Sequence, residues 1–331
     1  MKLNNLFSSN MVFAHGKPIR FFGEGKGKIE ISLAGQTKTT ESNGGGWILE
    51  FPAMDCGGPY CIKTVTDEYV RVLENVYIGE VYLFSGQSNM EFKMRESNTP
   101  NEEYTASEML RLFSADTVLG SDRFTASDGW QICSDDNIAD WSALGYLVSK
   151  ELCKSKGIAI GAIACYQGAS VIESWVPRDS FSKIGIDIPI AEKHIDHTYK
   201  DFYAWNCGPV MYERFLSTLM PFSLNGVVWY QGESDTTVSE ALVYEHELAE
   251  LIRIWRKGFM DENLEFTVIQ IADFDQRDDD GWHTVQKAQA EIQTNVRNVK
   301  TVISRDLCES DQIHPPTKTK LAKRIAKSII E

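Results

Sequence analysis

The sequence lacks both a long hydrophobic run and an excess of basic residues. No stretch approaches the ~18 consecutive apolar residues of a membrane-spanning helix. The formal net charge at pH 7 is −14. Nucleic acids and anionic membrane surfaces carry the same sign of charge and would repel the protein. We therefore expect neither as a partner, and the sequence does not indicate an oligomeric state.

Metal-type CxxC pairs and an N-terminal apolar segment are also missing. The seven cysteines are spread singly through the chain, which suits reduced thiols and no zinc site. Cys56 and Cys61 flank a Gly-Gly-Pro-Tyr loop and are near enough in sequence to close it if oxidised. The first seven residues lack the hydrophobic core of a secretory signal, which predicts a cytoplasmic protein unless a leader has been removed.

Two different sequence patterns divide the chain into two predicted domains. Residues 1–78 contain short β-like runs separated by glycine-rich turns, such as 23–25 and 43–46, which predict a small N-terminal β-sandwich. Residues 79–331 alternate apolar runs with amphipathic ones, typical of a three-layer α/β fold around a parallel sheet. Residues 91–141 are polar and predict loops over that sheet. The strand candidates after 78 are 81–84, 158–165, 226–230, 266–271 and 301–304, and the helix candidates are 143–156, 240–257, 284–295 and 317–330.

Polar residues follow several of these strand candidates. Ser88, Gly168 and Gln231 each lie just after a predicted strand, and Asp311 and His314 come after the last one. Ligands of open α/β sheets bind outside the carboxyl ends of the strands. The topology therefore predicts that these five residues share one site.

Ser88, His314 and Asp311 are the side chains that acyl transfer through a serine ester requires. Such a reaction needs a serine nucleophile, a histidine base and a carboxylate that orients the histidine. Ser88 lies on a Gly-Gln-Ser-Asn turn, and Asp311 precedes His314 by three residues. The turn alone is also ordinary structure, because glycine permits positive φ and Ser and Asn begin helices well. Asp306 is a rival carboxylate, but the three-residue spacing favours Asp311.

Three segments of the chain carry a further signal: 85–91 (Ser-Gly-Gln-Ser-Asn-Met-Glu), 229–234 (Trp-Tyr-Gln-Gly-Glu-Ser) and 311–315 (Asp-Gln-Ile-His-Pro), with supporting matches at 10–18 and 166–175. They resemble signatures of the sialate O-acetylesterase family, a carbohydrate-esterase branch of the SGNH hydrolases. The resemblance extends over nearly the whole chain. It implies a flavodoxin-like SGNH domain after the N-terminal β-sandwich, and an esterase that needs no metal or organic cofactor.

The resemblance also implies a role for each matching position. Ser88 would be the nucleophile, His314 the base, and Asp311 the group that orients it. The Ser88 N–H, the Gly168 N–H and the Gln231 side-chain amide would stabilise the oxyanion. The block around Gly168 departs from the family's common Gly-Gly-Thr, so its turn is expected to differ.

Further side chains are candidates for contact with a substrate. A guanidinium such as that of Arg95 suits a sialic acid carboxylate, and equally a surface ion pair. Trp175 is equally a core residue or a platform for a sugar ring. Glu233 could orient the histidine, but a role as an acceptor within its own loop is favoured. The candidates are Gln87, Asn89, Arg95, Trp175, Glu233 and His283.

His194 and His197 are spaced to share one helix face, but no third metal ligand accompanies them. No metal site is predicted there or elsewhere.

The function implied by the resemblance is release of acetate from an O-acetylated sugar, foremost sialic acid, through an acetyl-enzyme. Acetylxylan and other short-acyl esters are alternative substrates, because acetylxylan esterases share the GQSN, QGE and DxxH blocks. A non-catalytic carbohydrate-binding protein is a remote alternative, since fold alone does not secure activity. The presence of serine, histidine and aspartate speaks against it. The sequence does not indicate the sugar or the acetyl position.

Overall fold

The computed structural model describes residues 1–115, 129–186 and 203–331; His194 and His197 lie outside them. The strands are β1 (Lys2–Leu3), β2 (Val12–Ala14), β3 (Ile19–Leu33), β4 (Gln36–Phe51), β5 (Gly57–Thr66), β6 (Val70–Gly86), β7 (Ser107–Ser114), β8 (Gln131–Cys133), β9 (Ile160–Tyr166), β10 (Gly226–Tyr230), β11 (Glu265–Ile269) and β12 (Val299–Val302). The α-helices are α1 (Ser88–Glu91), α2 (Asp135–Ile138), α3 (Ala143–Lys156), α4 (Ser217–Leu219), α5 (Val238–Ala241), α6 (Tyr244–Gly258), α7 (Asp280–Asn295) and α8 (Thr319–Ile330). No helix in these ranges is both long and apolar enough to cross a membrane.

A mostly parallel sheet forms the centre of the C-terminal part. Its strand order is β8-β7-β9-β6-β10-β11-β12, and every neighbouring pair from β7 to β12 is parallel. The short β8 is antiparallel at the edge. Helices α3 and α8 pack on each other, as do α6 and α7, and α7 and α8 both contact β12. The fold is thus a mixed α/β sheet with helices packed on it.

The N-terminal part is built from antiparallel strands. β3 and β4 form a long hairpin whose loop, Ala34-Gly35, has positive φ at both residues, which matches the right-handed twist of the strands. β5 pairs with both β3 and β6. The predicted turns at 23–25 and 43–46 are wrong, because β3 and β4 run through them with a bulge between Glu24 and Lys26. The β-sandwich itself stays a prediction.

Strand β6 belongs to both parts of the molecule. Its first half pairs antiparallel with β5, and its second half, from Glu80 to Gly86, lies parallel between β9 and β10. The predicted boundary between residues 78 and 79 therefore falls inside one continuous strand. The division of the chain into 1–78 and 79–331 stays a prediction.

Strand β7 was not predicted, because residues 91–141 were expected to form loops. β7 lies parallel to β9, with Leu110 and Leu112 buried. Arg111 hides the apolar pattern in the sequence, yet its side chain is buried and its guanidinium lies 5.2 Å from the centre of the Tyr77 ring. Packing against the Tyr77 ring thus lets a charged arginine be buried in a strand. The charge of Arg111 interrupts the apolar pattern, so the sequence did not predict this strand.

Candidate active site

The site lies where β6 ends, at the point where the strand order of the sheet reverses. The chain runs from β6 to β7 and β9 on one side, and then to β10, β11 and β12 on the other. Gly86, the last residue of β6, has φ +135°, and a Cβ there would lie 2.0 Å from the Tyr230 carbonyl oxygen. Only glycine fits this close approach. The resulting crevice at the carboxyl ends of β6, β9 and β10 is where α/β sheets bind ligands.

Ser88 is the first residue of α1, directly after this turn. Neither its backbone N–H nor its Oγ has a hydrogen-bond partner among the described residues. The turn itself is fixed by two backbone hydrogen bonds: the Gln87 N–H donates to the Tyr230 carbonyl at 2.9 Å, and the Gln167 N–H donates to the Gly86 carbonyl at 3.0 Å. A fixed turn therefore presents a serine whose backbone N–H and Oγ have no partner in the described ranges.

Gln87 is buried and braces the turn rather than facing a ligand. Its Oε1 accepts from the backbone N–H groups of Gly232 at 3.1 Å and Ser234 at 3.4 Å. Its Nε2 donates to the Ser234 Oγ at 3.3 Å. The contact with substrate predicted for Gln87 is therefore replaced by a link between the β6 turn and the loop after β10.

Asn89 joins the serine turn to the histidine segment. Its Nδ2 donates to the Ile313 carbonyl at 2.9 Å and to Glu233 Oε1 at 2.6 Å. Its Oδ1 accepts from Lys318 Nζ at 2.8 Å. Because Asn89 follows Ser88 and Ile313 precedes His314, this hydrogen bond links the residue after the predicted nucleophile to the residue before the predicted base. Asn89 is itself buried, so it too has a connecting role.

His314 is half-buried, and its ring centre lies 6.1 Å from that of Phe92. Burial lowers the pKa of the imidazole, and the positive charge of Lys318 lowers it further, while Glu96 acts in the opposite direction. The ring is therefore mainly neutral near pH 7, which is the form that accepts a proton.

Asp311 is exposed, and no hydrogen bond joins its carboxylate to His314 in the described part of the chain. The rival carboxylate, Asp306, is bound by Arg324, with oxygen–nitrogen distances of 2.5 and 2.8 Å. The structure thus places Asp311 three residues from the histidine without assembling the third contact of a triad.

Gly168 lies beside the serine. A Cβ on Gly168 would be 3.6 Å from the Ser88 Cβ and 3.1 Å from Glu91 Oε2. The Gly168 N–H donates to that same Glu91 oxygen at 2.6 Å. Burial raises the pKa of the Glu91 carboxyl. The N–H group predicted to be an oxyanion donor is therefore bound to a carboxyl group of the protein.

Gln231 is fully buried, and its side-chain amide is used within the protein. The Nε2 donates to the Ser170 carbonyl at 3.0 Å and also to the Asp235 carboxylate, while the Oε1 accepts from the Tyr244 hydroxyl at 2.9 Å. Both amide hydrogens are thus engaged. The structure leaves Gln231 no donor for an oxyanion, in contrast to the role that the resemblance implied.

Trp175 and Arg95 both have partners within the protein. Trp175 has no exposed surface and packs edge-on against Trp229, with ring centres 5.6 Å apart. It is therefore a core residue. Arg95 is exposed and forms an ion pair with Asp140, as the alternative interpretation predicted.

Glu233 is buried and accepts from Asn89, which agrees with a role within the protein. A backbone N–H hydrogen bond within the loop also acts on this carboxyl, as the prediction of a loop acceptor implied. Burial raises the pKa of its carboxyl.

A pocket of about 320 Å³ borders the histidine segment. His283 lines it, held by Asp278 at 2.7 Å and Gln286 at 3.1 Å, and both contacts raise the pKa of its imidazole. The Ser310 carbonyl accepts from the Asp275 N–H at 2.8 Å, which fixes the pocket wall to the segment that carries Asp311. The lining residues are Asp273, Phe274, Asp275, Arg277, Asp278, Trp282, His283, Arg305 and Ser310.

One cluster in the described ranges has the spacing of a cation site. Carboxylate oxygens of Glu173, Asp235 and Glu247 lie within 4.8 Å of one another. Asp235 already accepts from the Gln231 amide and the Ile172 N–H. The group therefore has partners in the protein. Cys56 and Cys61 form no disulfide with each other.

Two residues of the site were missed in the sequence. Lys318 is a buried lysine, which is rare enough that no pattern suggests it. Glu91 lies within the matched segment 85–91 but received no role. Glu91 lies three residues after Ser88, which is about one helical turn. That spacing could have indicated that its side chain lies near the serine.

Comparison with known proteins decides the family. A model of the carbohydrate esterase family described as sialic acid-specific acetylesterase matches residues 78–331. The chain belongs to this family. The crystal structure of a carbohydrate acetylesterase from Xanthomonas citri superposes with a TM-score of 0.84 at 26% identity, covering 98% of this chain and 73% of that one.

The chain is also similar to curated mammalian sialate O-acetylesterases. The human sialate O-acetylesterase is 24% identical over 313 residues, and the mouse sialate O-acetylesterase is 24% identical over 334 residues. Each match covers 84% of this chain. The chain spans 59% of the human protein and 62% of the mouse protein. The similarity confirms the predicted family.

Proposed function

We propose that the protein is a serine-dependent carbohydrate O-acetylesterase. The observation that carries the proposal is the Asn89 amide, which ties the residue after Ser88 to the residue before His314. A Ser88 hydroxyl without a partner among the described residues and a mainly neutral imidazole on His314 are the two conditions for a nucleophile and its base.

The proposed reaction has two steps. Ser88 Oγ attacks the acetyl carbonyl while His314 takes the hydroxyl proton, and the tetrahedral intermediate collapses to acetyl-serine as His314 protonates the departing sugar oxygen. Water, deprotonated by His314, then attacks the acetyl-serine and releases acetate, and the proton returns to Ser88. Atoms balance, because one water is consumed for each ester cleaved.

Backbone N–H groups support the oxyanion in this proposal. The Ser88 N–H is free, and the Gly168 N–H is adjacent to the serine but bound to Glu91. Glu91 has to release it when the ester binds. The raised pKa of Glu91 favours the neutral carboxyl, which holds an N–H less tightly than a carboxylate does. One such donor typically contributes about 2.7–4 kcal/mol to the transition state.

Asp311 completes the proposed triad when substrate is bound. Hydrogen bonds between catalytic groups are often long or absent before binding. The exposed Asp311 has no competing partner among the described residues, whereas Asp306 is held by Arg324.

The pocket beside Ser310 is the proposed place for the sugar. Its volume of about 320 Å³ is at the lower end of the ~300–1,000 Å³ typical of ligand sites, which suits one sugar unit. The acetylated sugar is proposed to be sialic acid, because the curated relatives are sialate O-acetylesterases.

The finer fold is proposed to be the three-layer SGNH arrangement. The pairing of α3 with α8 and of α6 with α7 supports one helical layer on each face of the central sheet. The N-terminal antiparallel strands are proposed to form the β-sandwich.

The test is acetate release from O-acetylated sialic acid and, in parallel, from acetylated xylo-oligosaccharides. We expect release from sialic acid to be faster and to vanish in Ser88→Ala, whose fold is checked by circular dichroism. Faster release from the xylo-oligosaccharides would assign the chain to acetylxylan instead. Activity retained by Ser88→Ala would refute the serine mechanism, and sugar binding without acetate release from any ester would favour a binding protein.

A further inference from the structure

Lys318 is a fully buried lysine in the middle of the site. It immediately precedes α8, and its Nζ donates to Asn89 Oδ1 at 2.8 Å. The same nitrogen lies 4.9 Å from the centre of the Phe92 ring. No role has been assigned to this side chain so far.

Packing and helix capping do not account for a lysine at this position. Removing an ammonium group from water costs several kcal/mol, about the stability of a marginal fold. Lys318 is also the N-cap of α8, where Ser, Thr, Asp or Asn would be favourable. The positive end of the helix dipole further disfavours a cation there. Burial, the N-cap position and the helix dipole all disfavour a lysine at position 318. Its presence there therefore needs another explanation.

The reason that the contacts suggest is the orientation of Asn89. An asparagine amide can be turned over so that its oxygen and nitrogen exchange places. The Lys318 ammonium only donates, so it requires the Asn89 oxygen to face it. The Asn89 nitrogen must then point to Glu233 and to the Ile313 carbonyl. Lys318 therefore selects the one orientation that ties the two catalytic segments together.

Lys318 also sets the charge around the base. The groups that act on its ammonium are Cys308, Glu233 and Glu309, and burial lowers its pKa to about 8. It is thus still mainly protonated at pH 7. The charged groups that act on His314 are Lys318, which disfavours the imidazolium, and Glu96, which favours it.

We propose that Lys318 is a positioning residue of the esterase: it locks the Asn89 amide between the Ser88 turn and the His314 segment, and it places a fixed positive charge beside the base. The inference rests on the proposed function. The Asn89 amide then connects Lys318 to Glu233, and all three side chains are buried.

The first test needs no substrate. The pKa of His314 is measured by NMR titration of the imidazole protons, with His314→Gln to assign the signal. Lys318→Met should raise this pKa, because a nearby positive charge is lost. Glu96→Gln should lower it, and Lys320→Met, which changes an exposed lysine on the same helix, should leave it unchanged. An unchanged His314 pKa in folded Lys318→Met would overturn the electrostatic half of the proposal.

The second test is kinetic and uses a simple acetyl ester. Lys318→Met should lower kcat by about ten- to hundredfold with little change in KM, because misplaced catalytic groups slow the chemical step. The acid limb of its pH–rate profile should move to higher pH. Lys318→Arg keeps the charge and should restore the position of that limb. A wild-type profile and kcat in folded Lys318→Met would overturn the positioning role.

A failure of the variant to fold and a failure of the proposed function can be told apart. If Lys318→Met fails to fold, the double variant Lys318→Met/Glu233→Gln removes both buried charges and is used for the same measurements. If the wild-type protein shows no Ser88-dependent hydrolysis, the proposed function fails, and the NMR titration still decides whether Lys318 controls His314.

Discussion

The sequence predicted which side chains belong to the site better than it predicted what each side chain contacts. Ser88 and His314 were predicted from their motifs, and Asn89 brings their segments together. The direction of the Gln231 amide could not be predicted, because it depends on Ser170 and Asp235 in other parts of the structure. Sequence spacing fixes which residues approach the site, whereas side-chain packing decides which of their atoms remain free.

The choice between Asp311 and Asp306 is a prediction at this scale. Asp311→Asn should lower kcat by about a hundredfold or more, because an orienting carboxylate also stabilises the imidazolium. Asp306→Asn should leave kcat within about twofold, since an exposed ion pair with Arg324 contributes little. The measurement is steady-state kinetics on an acetyl ester. A larger loss in the Asp306 variant would reverse the assignment.

Secondary-structure elements were predicted best where the apolar pattern is uninterrupted. The strand at 226–230 and the helix at 143–156 coincide with β10 and α3. The helix predicted at 240–257 is in fact two helices, α5 and α6, with a break at Leu242 and Val243. A periodic pattern continues through such a break, because the pattern reports burial and not backbone hydrogen bonds.

The turn after β6 gives a prediction for an element. Gly86→Ala should destabilise the protein by more than about 3 kcal/mol, because the added Cβ meets the Tyr230 carbonyl oxygen and the φ value is unfavourable. Gly16→Ala is the control: its φ is +67°, but no atom lies within 4 Å of the added Cβ. The backbone cost alone, about 1–2 kcal/mol, should remain there. Urea unfolding measures both, and equal losses would show that the close approach does not matter.

The molecule as a whole is held together across its two parts by β6 and by Arg20. The Arg20 side chain is buried and donates to Ser223 Oγ at 3.3 Å and to the Phe259 carbonyl at 3.2 Å. Phe13 and Phe21 of the N-terminal strands meet Phe7 and Phe222 in one aromatic cluster. The local sequence patterns predicted a β-rich part and an α/β part, but they could not predict that one strand would belong to both.

Arg20→Met tests this connection. The change leaves buried acceptors without donors and should cost about 2–4 kcal/mol. Lys17→Met is the matched control, because the partly exposed pair with Asp261 should contribute only about 0–1 kcal/mol. Thermal unfolding should stay a single transition in both variants, since β6 couples the parts. Two separate transitions in the wild-type protein would contradict that coupling.

The contact between Glu91 and Gly168 has one more consequence. A side-chain carboxyl on the Gly168 N–H has the same chemical group as the acetate that the proposed reaction releases. The protein thus carries an internal analogue of the proposed product on the N–H group that is proposed as an oxyanion donor. Free acetate would have to compete there with the carboxyl of Glu91, which is covalently tethered three residues from Ser88, so we expect acetate to bind weakly.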